Sequence, residues 1–297
     1  MAVFLKHHQA GRPMTSKHRF NFAWRCLTLA SLSVLLSACL NVPHSNNAPE
    51  PAKPVTYAAA PAEVRQALAP TGTLRVGVYP GSPTSWVKDP KTGESVGIAL
   101  DLGKALAKRL NVPVQVVEFD RVAQVLDALK DGKVDLTFTN ATAVRAKDMD
   151  FTPAMVRLEL GYLVVGTNPL KAVSEIDQAG IRVGVSQGSS SQGVLMQTFK
   201  QAQVVPADSL AKAQAMLIAK QIDAFATNKG ILFEMSDTLP GSRVMDGRWG
   251  LENLAIAVPK GRDAGRSFVQ NFAKDMAQNG DLDKAIQRSG LRGTARD

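Results

Sequence analysis

The sequence predicts an α/β protein of two similar lobes, each a mostly parallel sheet flanked by helices. Three repeated segments carry that reading. Leu74-Arg75-Val76-Gly77-Val78 is answered by Ile181-Arg182-Val183-Gly184-Val185, and Gln115-Val116-Val117 by Gln203-Val204-Val205. The third pair is Lys133-Val134-Asp135-Leu136-Thr137-Phe138-Thr139-Asn140 and Gln221-Ile222-Asp223-Ala224-Phe225-Ala226-Thr227-Asn228. Matched segments in the same order at this separation indicate a duplicated domain rather than a short-period array. Each copy alternates strands with helices, which implies parallel strands joined by helical crossovers. Ligands in such sheets sit beyond the carboxyl ends of the strands. Asn140 and Asn228 end equivalent strands, so they are expected to face each other across a cleft between the lobes.

The amino terminus is of another kind. Residues 1–38 hold Lys6, Arg12, Lys17, Arg19 and Arg25 and no acid, and the apolar run Cys26 to Leu36 leads into Leu36-Ser37-Ala38-Cys39. A basic region, a short apolar core and small residues before a cut describe a secretory signal, and the core is too short to span a membrane. Leu-Ser-Ala-Cys resembles the bacterial lipobox, which implies that Cys39 is lipidated. Met14 precedes a complete signal and is an alternative start. Residues 39–70, rich in Ala, Pro, Asn and Ser, read as a flexible tether. A short helix near Glu63–Leu68 fits within it.

Composition excludes more than it selects. The leader's five basic residues account for five of the nine net positive charges, leaving +4 and little support for nucleic-acid binding. No His or Cys occurs from residue 45 onward. That excludes Ser-His-Asp or Cys-His catalysis, imidazole or thiolate metal sites, and structural disulfides in the folded part. No cofactor or metal is expected.

In chain order, lobe one is expected over 71–167. It has a strand at Leu74–Val78, a loop carrying Trp86, a helix from Asp101 as N-cap, a strand at Val114–Phe119, a helix through Val122 and Leu129 closed by Gly132, and the strand ending at Asn140. Another strand at Gly161–Gly166 leads to a crossing at Asn168-Pro169. Lobe two, 168–249, repeats the order, with a helix from about Val194. From 250 a strand at Leu254–Val258 and two helices return to lobe one, so that two chain crossings act as a hinge.

These residues resemble the bacterial extracytoplasmic solute-binding proteins, family 3, which serve ABC importers of polar amino acids. The carriers, over about Thr71 to Gly290, are Leu74-Arg75-Val76-Gly77-Val78, Gly97-Ile98-Ala99-Leu100-Asp101-Leu102, Gly132-Lys133-Val134-Asp135-Leu136, Asn140-Ala141-Thr142 with Arg145, Asp150-Phe151-Thr152-Pro153, Arg182 to Ser189, and Ile222-Asp223-Ala224. The resemblance implies the two-lobed periplasmic-binding-protein fold, type II-like, closing over a ligand without reaction. It implies polar contacts from Asn140 and Thr142 and a carboxylate-binding Arg145, for which a guanidinium is suited because it binds carboxylates bidentately. From lobe two it implies Ser189, Ser190 and Ser191 before a helix, where N–H groups suit an anion, and Asn228. Trp86 is a candidate aromatic wall.

Two departures from the family pattern bear on the ligand. Thr142 and Arg145 stand two residues closer than usual, and Asn228 replaces an aspartate that holds a ligand's ammonium group. A carboxylated or zwitterionic solute is therefore expected, with an ABC permease of the inner membrane as partner, no nucleic acid, a monomer, and a lipid-anchored periplasmic location. Alternatives are a cyclohexadienyl-type dehydratase on the same fold, using Glu159, Glu234 or Glu252 as an acid in the cleft, and a sensor for a membrane partner.

Overall fold

The computed structural model describes residues 59–166 and 168–295. The leader, Cys39, the Met14 start and most of the tether lie outside them. In chain order the elements are α1 (Ala62–Leu68), β1 (Leu74–Val78), β2 (Val87–Lys88), β3 (Ser95–Val96), α2 (Ile98–Leu110), β4 (Val114–Glu118), α3 (Val122–Lys130), β5 (Thr137–Asn140), β6 (Met149–Phe151) and β7 (Val156–Val165). They continue with β8 (Arg182–Ser186), α4 (Ser190–Thr198), β9 (Gln203–Ala207), α5 (Leu210–Ile218), β10 (Ala224–Asn228), α6 (Lys229–Asp237), β11 (Ser242–Val244), β12 (Gly250–Pro259), α7 (Asp263–Gln278) and α8 (Asp281–Arg288).

The repeats become two matching half-sheets. In the first lobe β4 pairs with β1 in parallel, β1 bridges to Leu136 just before β5, and β5 pairs antiparallel with β12. In the second, β9 pairs with β8 and β8 with β10 in parallel, and β10 pairs antiparallel with β7. The strand orders β4-β1-β5-β12 and β9-β8-β10-β7 are the same pattern. The repeated Arg and Asp lock each half in the same way. Arg75 donates its backbone N and Nε to Asp135 Oδ2 at 3.0 and 2.8 Å, and its Nη2 to Asp135 Oδ1 and Gly132 O. Arg182 makes the same four bonds, to Asp223 and Lys220 O, through the same three donor atoms.

The lobes are joined by β7 and β12, which pair with each other antiparallel from Val156↔Leu254 to Leu160↔Gly250. Beyond that register each strand runs into the opposite half. The second part of β7 meets β10 and β11, and that of β12 meets β5 and β6. Val156 and Leu158 belong to the first lobe's core, while Tyr162, Leu163 and Val164 belong to the second's. The first crossing therefore lies inside β7, several residues before the expected Asn168-Pro169. A continuous strand, paired on both sides, carries the chain across, and no turn is required.

Three further expectations change. The folded body starts before Thr71, because Ala60, Val64 and Leu68 are buried in the first lobe's core. Arg262 Nη1, beside α7, donates to Ala67 O at 2.6 Å and ties α1 to that lobe. Helix α2 begins at Ile98 after Gly97, and Asp101 sits in its first turn, where it accepts from Arg288 instead of capping. Helix α4 starts at Ser190, four residues before Val194, since the Ser189 hydroxyl accepts from Gln192 N and caps it.

Candidate functional site

β5 and β10 bring Asn140 and Asn228 to one cavity between the lobes, and β12 brings Glu252. Each asparagine has its amide oxygen occupied by a backbone N–H. Asn140 Oδ1 accepts from Asn253 N at 2.9 Å, and Asn228 Oδ1 accepts from Ile231 N at 3.1 Å, capping α6. That fixes both amides so that their NH2 groups donate. Asn228 Nδ2 donates to Glu252 Oε2 at 3.0 Å. Asn140 Nδ2 donates to Ser190 Oγ at 3.2 Å, and Ser190 Oγ donates to Glu252 Oε1 at 3.0 Å. One polar chain, Asn140–Ser190–Glu252–Asn228, thus crosses from the first lobe to Ser190 of the second and continues through Glu252 on β12 to Asn228, also of the second.

Arg145 lines the same cavity. Its Nη1 donates to Thr139 Oγ1 at 2.9 Å and to Asn140 O at 3.1 Å, which leaves the rest of the guanidinium fork for other acceptors. Among the described residues no carboxylate lies within ion-pair distance of Arg145, and no cation within that distance of Glu252. Burial pulls the Arg145 guanidinium below its ordinary value, against the field of Glu252. Burial pushes the Glu252 carboxyl up, against the field of Arg145 and the bonds from Asn228 and Ser190. Burial also pushes the Tyr79 hydroxyl up. The space between these groups is only about 30 Å³, room for one or two waters. Small-molecule sites start near 300 Å³, so the lobes are closed on each other.

Of the residues singled out in the sequence, Asn140, Arg145, Ser189, Ser190 and Asn228 line the cavity. Three do not. Thr142 stands behind the arginine, its Oγ1 accepting from Arg145 N at 3.2 Å, and lines a neighbouring groove. Ser191 is not in the cavity lining, because it lies one helical step beyond Ser190; its buried hydroxyl has no partner among the described residues. Trp86 packs on the first lobe's core and lines a separate groove, with Lys88 Nζ 5.5 Å from its ring.

Tyr79, Thr139, Ser186 and Thr227 line the cavity without having been assigned there, and Glu252, named only as one of three alternative acids, lines it too. Glu252 had a legible signal. Leu254, Ile256 and Val258 form the buried face of β12, and the two-residue period of a strand puts position 252 on that face. Of the three candidate acids only Glu252 enters the cleft. Glu159 pairs with Lys229 and Arg248, and Glu234 lies on the groove lined by Trp86.

Two α/β lobes joined by paired crossing strands, with polar strand ends converging on a buried cavity, define a bilobal binding protein. The chain belongs to the bacterial extracellular solute-binding proteins, family 3, whose model matches residues 74–290. It is 26% identical over 242 residues to the glutamine-binding protein of Geobacillus stearothermophilus, covering 79% of this chain and 92% of that one. It is 24% identical over 259 residues to the ABC transporter glutamine-binding protein GlnH of Bacillus subtilis, covering 86% and 92%. Among solved structures, an ancestral arginine-binding protein bound to arginine superposes with a TM-score of 0.65 at 28% identity, covering 73% of this chain and 97% of that one. The ancestral amino acid-binding protein AncCDT-1, a precursor of cyclohexadienyl dehydratase, gives 0.64 at 27%, covering 74% and 96%.

Proposed function

We propose that this protein captures a small amino acid between its lobes and delivers it to an ABC importer, with the ligand's carboxylate bound by Arg145. The observation that carries this reading is a guanidinium lining a buried interlobe cavity with no carboxylate of the described residues within ion-pair distance. A desolvated arginine remains charged and favours a planar, bidentate anion. Hinge closure follows from contacts that a ligand makes to both lobes at once, since only differential contact shifts such an equilibrium. Relatives that bind glutamine or arginine support the ligand class. We read Cys39 as the lipidated residue that holds the protein at the outer face of a membrane.

A thermal-shift screen of amino acids and organic acids against the full chain tests the reading. At a hundredfold excess over Kd the true ligand stabilises by about 2.7 kcal/mol. A panel in which no amino acid raises Tm overturns it.

The entry of Glu252 into the cleft favours one second reading, the dehydratase. Incubation with prephenate or arogenate is expected to yield no aromatic product, and formation of one would establish an enzyme.

A further inference from the structure

We propose that Glu252 is the anionic half of the ligand site, taking the ammonium group of the amino acid whose carboxylate Arg145 binds; this rests on the amino-acid reading above. The two side chains line one cavity, one cationic and one anionic, yet do not pair with each other. Such an arrangement is the inverse charge pattern of a zwitterion.

Glu252 is 7% exposed, and both donors to it, Ser190 and Asn228, are neutral. An ionised carboxylate accepts about four hydrogen bonds, and Glu252 receives two from side chains. A buried carboxylate satisfied only by neutral donors stays under-compensated, and the strongest available remedy is a cation at hydrogen-bond distance. The titratable groups that face it are Arg145 from the loop after β5 and Tyr79 from the end of β1. Arg145 is outside ion-pair range, and Tyr79, its hydroxyl pushed up by burial, carries no charge at neutral pH. The ligand is then the source of the missing cation. Glu252 lies on a hinge strand while both its donors belong to the second lobe, so an ammonium held there ties the crossing to closure.

The site built this way selects amine-bearing carboxylates over plain ones. Isothermal titration of the full chain and of Glu252→Gln measures it, with L-glutamine, L-arginine and the other standard amino acids each set beside its desamino carboxylate. The amide keeps the shape and an acceptor for one donor but removes the charge. The parent protein is expected to prefer the amino acid by at least ~30-fold, and E252Q to reduce that preference to a few-fold. An unliganded E252Q with Tm equal to or above the parent's shows that the fold is kept, since removing an under-compensated buried charge does not destabilise. A preference that survives in E252Q, or a parent that binds both members of a pair equally, overturns the role of Glu252 and leaves amino-acid capture standing. A parent that binds no amino acid overturns both.

Discussion

Asn228 Nδ2 donates to Glu252 Oε2 at 3.0 Å, with both residues buried and the asparagine oriented by its cap on α6. Asn228→Asp keeps the cap but sets two carboxyls at hydrogen-bond distance, where they share one proton. The folded pKa of the pair then lies above its unfolded value. Stability is present at acid pH and is lost as pH rises through the folded value. The Tm deficit of N228D against the parent is expected to widen from about pH 5 to pH 8; parallel Tm–pH curves refute it.

The same sign applies to the parent protein through Glu252. Its carboxyl is raised above the ordinary 4.5 by burial, so its contribution to stability is full below that value and declines above it. E252Q lacks the group. Its Tm–pH profile is expected to be flatter between about pH 4.5 and pH 8, as read by scanning calorimetry.

Arg145→Ala is expected to abolish ligand-induced stabilisation without lowering the unliganded Tm by more than a degree or two, because the side chain bonds only Thr139 and Asn140 O. Arg145→Lys keeps a charge but loses the bidentate fork, and retains a weaker thermal shift. An undiminished shift in R145A removes this residue from the site.

The two Arg–Asp locks differ in depth. The Asp135 side chain is fully buried and also takes Arg262 Nη2 at 3.0 Å, whereas the Asp223 side chain is 26% exposed and among the described residues pairs with Arg182 alone. Removing one partner of a buried pair costs about 3–5 kcal/mol, and an exposed pair is worth about 1 kcal/mol or less. Urea unfolding is expected to rank Asp135→Asn well below Asp223→Asn in stability. Equal losses contradict the burial argument.

Equivalent helix ends carry unlike residues in the left-handed region, Gly132 at φ 67° and Lys220 at φ 54°. A side chain there costs roughly 1 kcal/mol. Gly132→Ala is expected to lose about that much, although a Cβ meets nothing within 4 Å. Lys220→Gly is expected to gain up to ~1 kcal/mol in the same denaturation assay.

The duplicated fold was legible because its marks are local. Arg-Val-Gly-Val and the Asp preceding a buried strand recur in each half, and one Arg–Asp lock needs both. The strand-end asparagines could be assigned to the cleft for the same reason, whereas Ser190 followed from the family resemblance. Glu252 could not be found by repeat logic, since β12 has no sequence twin and meets Asn140 through a pairing of residues more than 100 apart. Helical phase separated Ser190 from Ser191, and packing on the first lobe's core held Trp86 away. Neither effect is visible in a run of residue types.

The closed cavity sets a limit on kinetics. No amino acid fits in a space of about 30 Å³, so solute enters only through an opened form. The observed association rate in stopped flow should therefore level off as concentration rises. Its plateau would report how often β7 and β12 let the lobes part, making that bending frequency the speed limit on uptake.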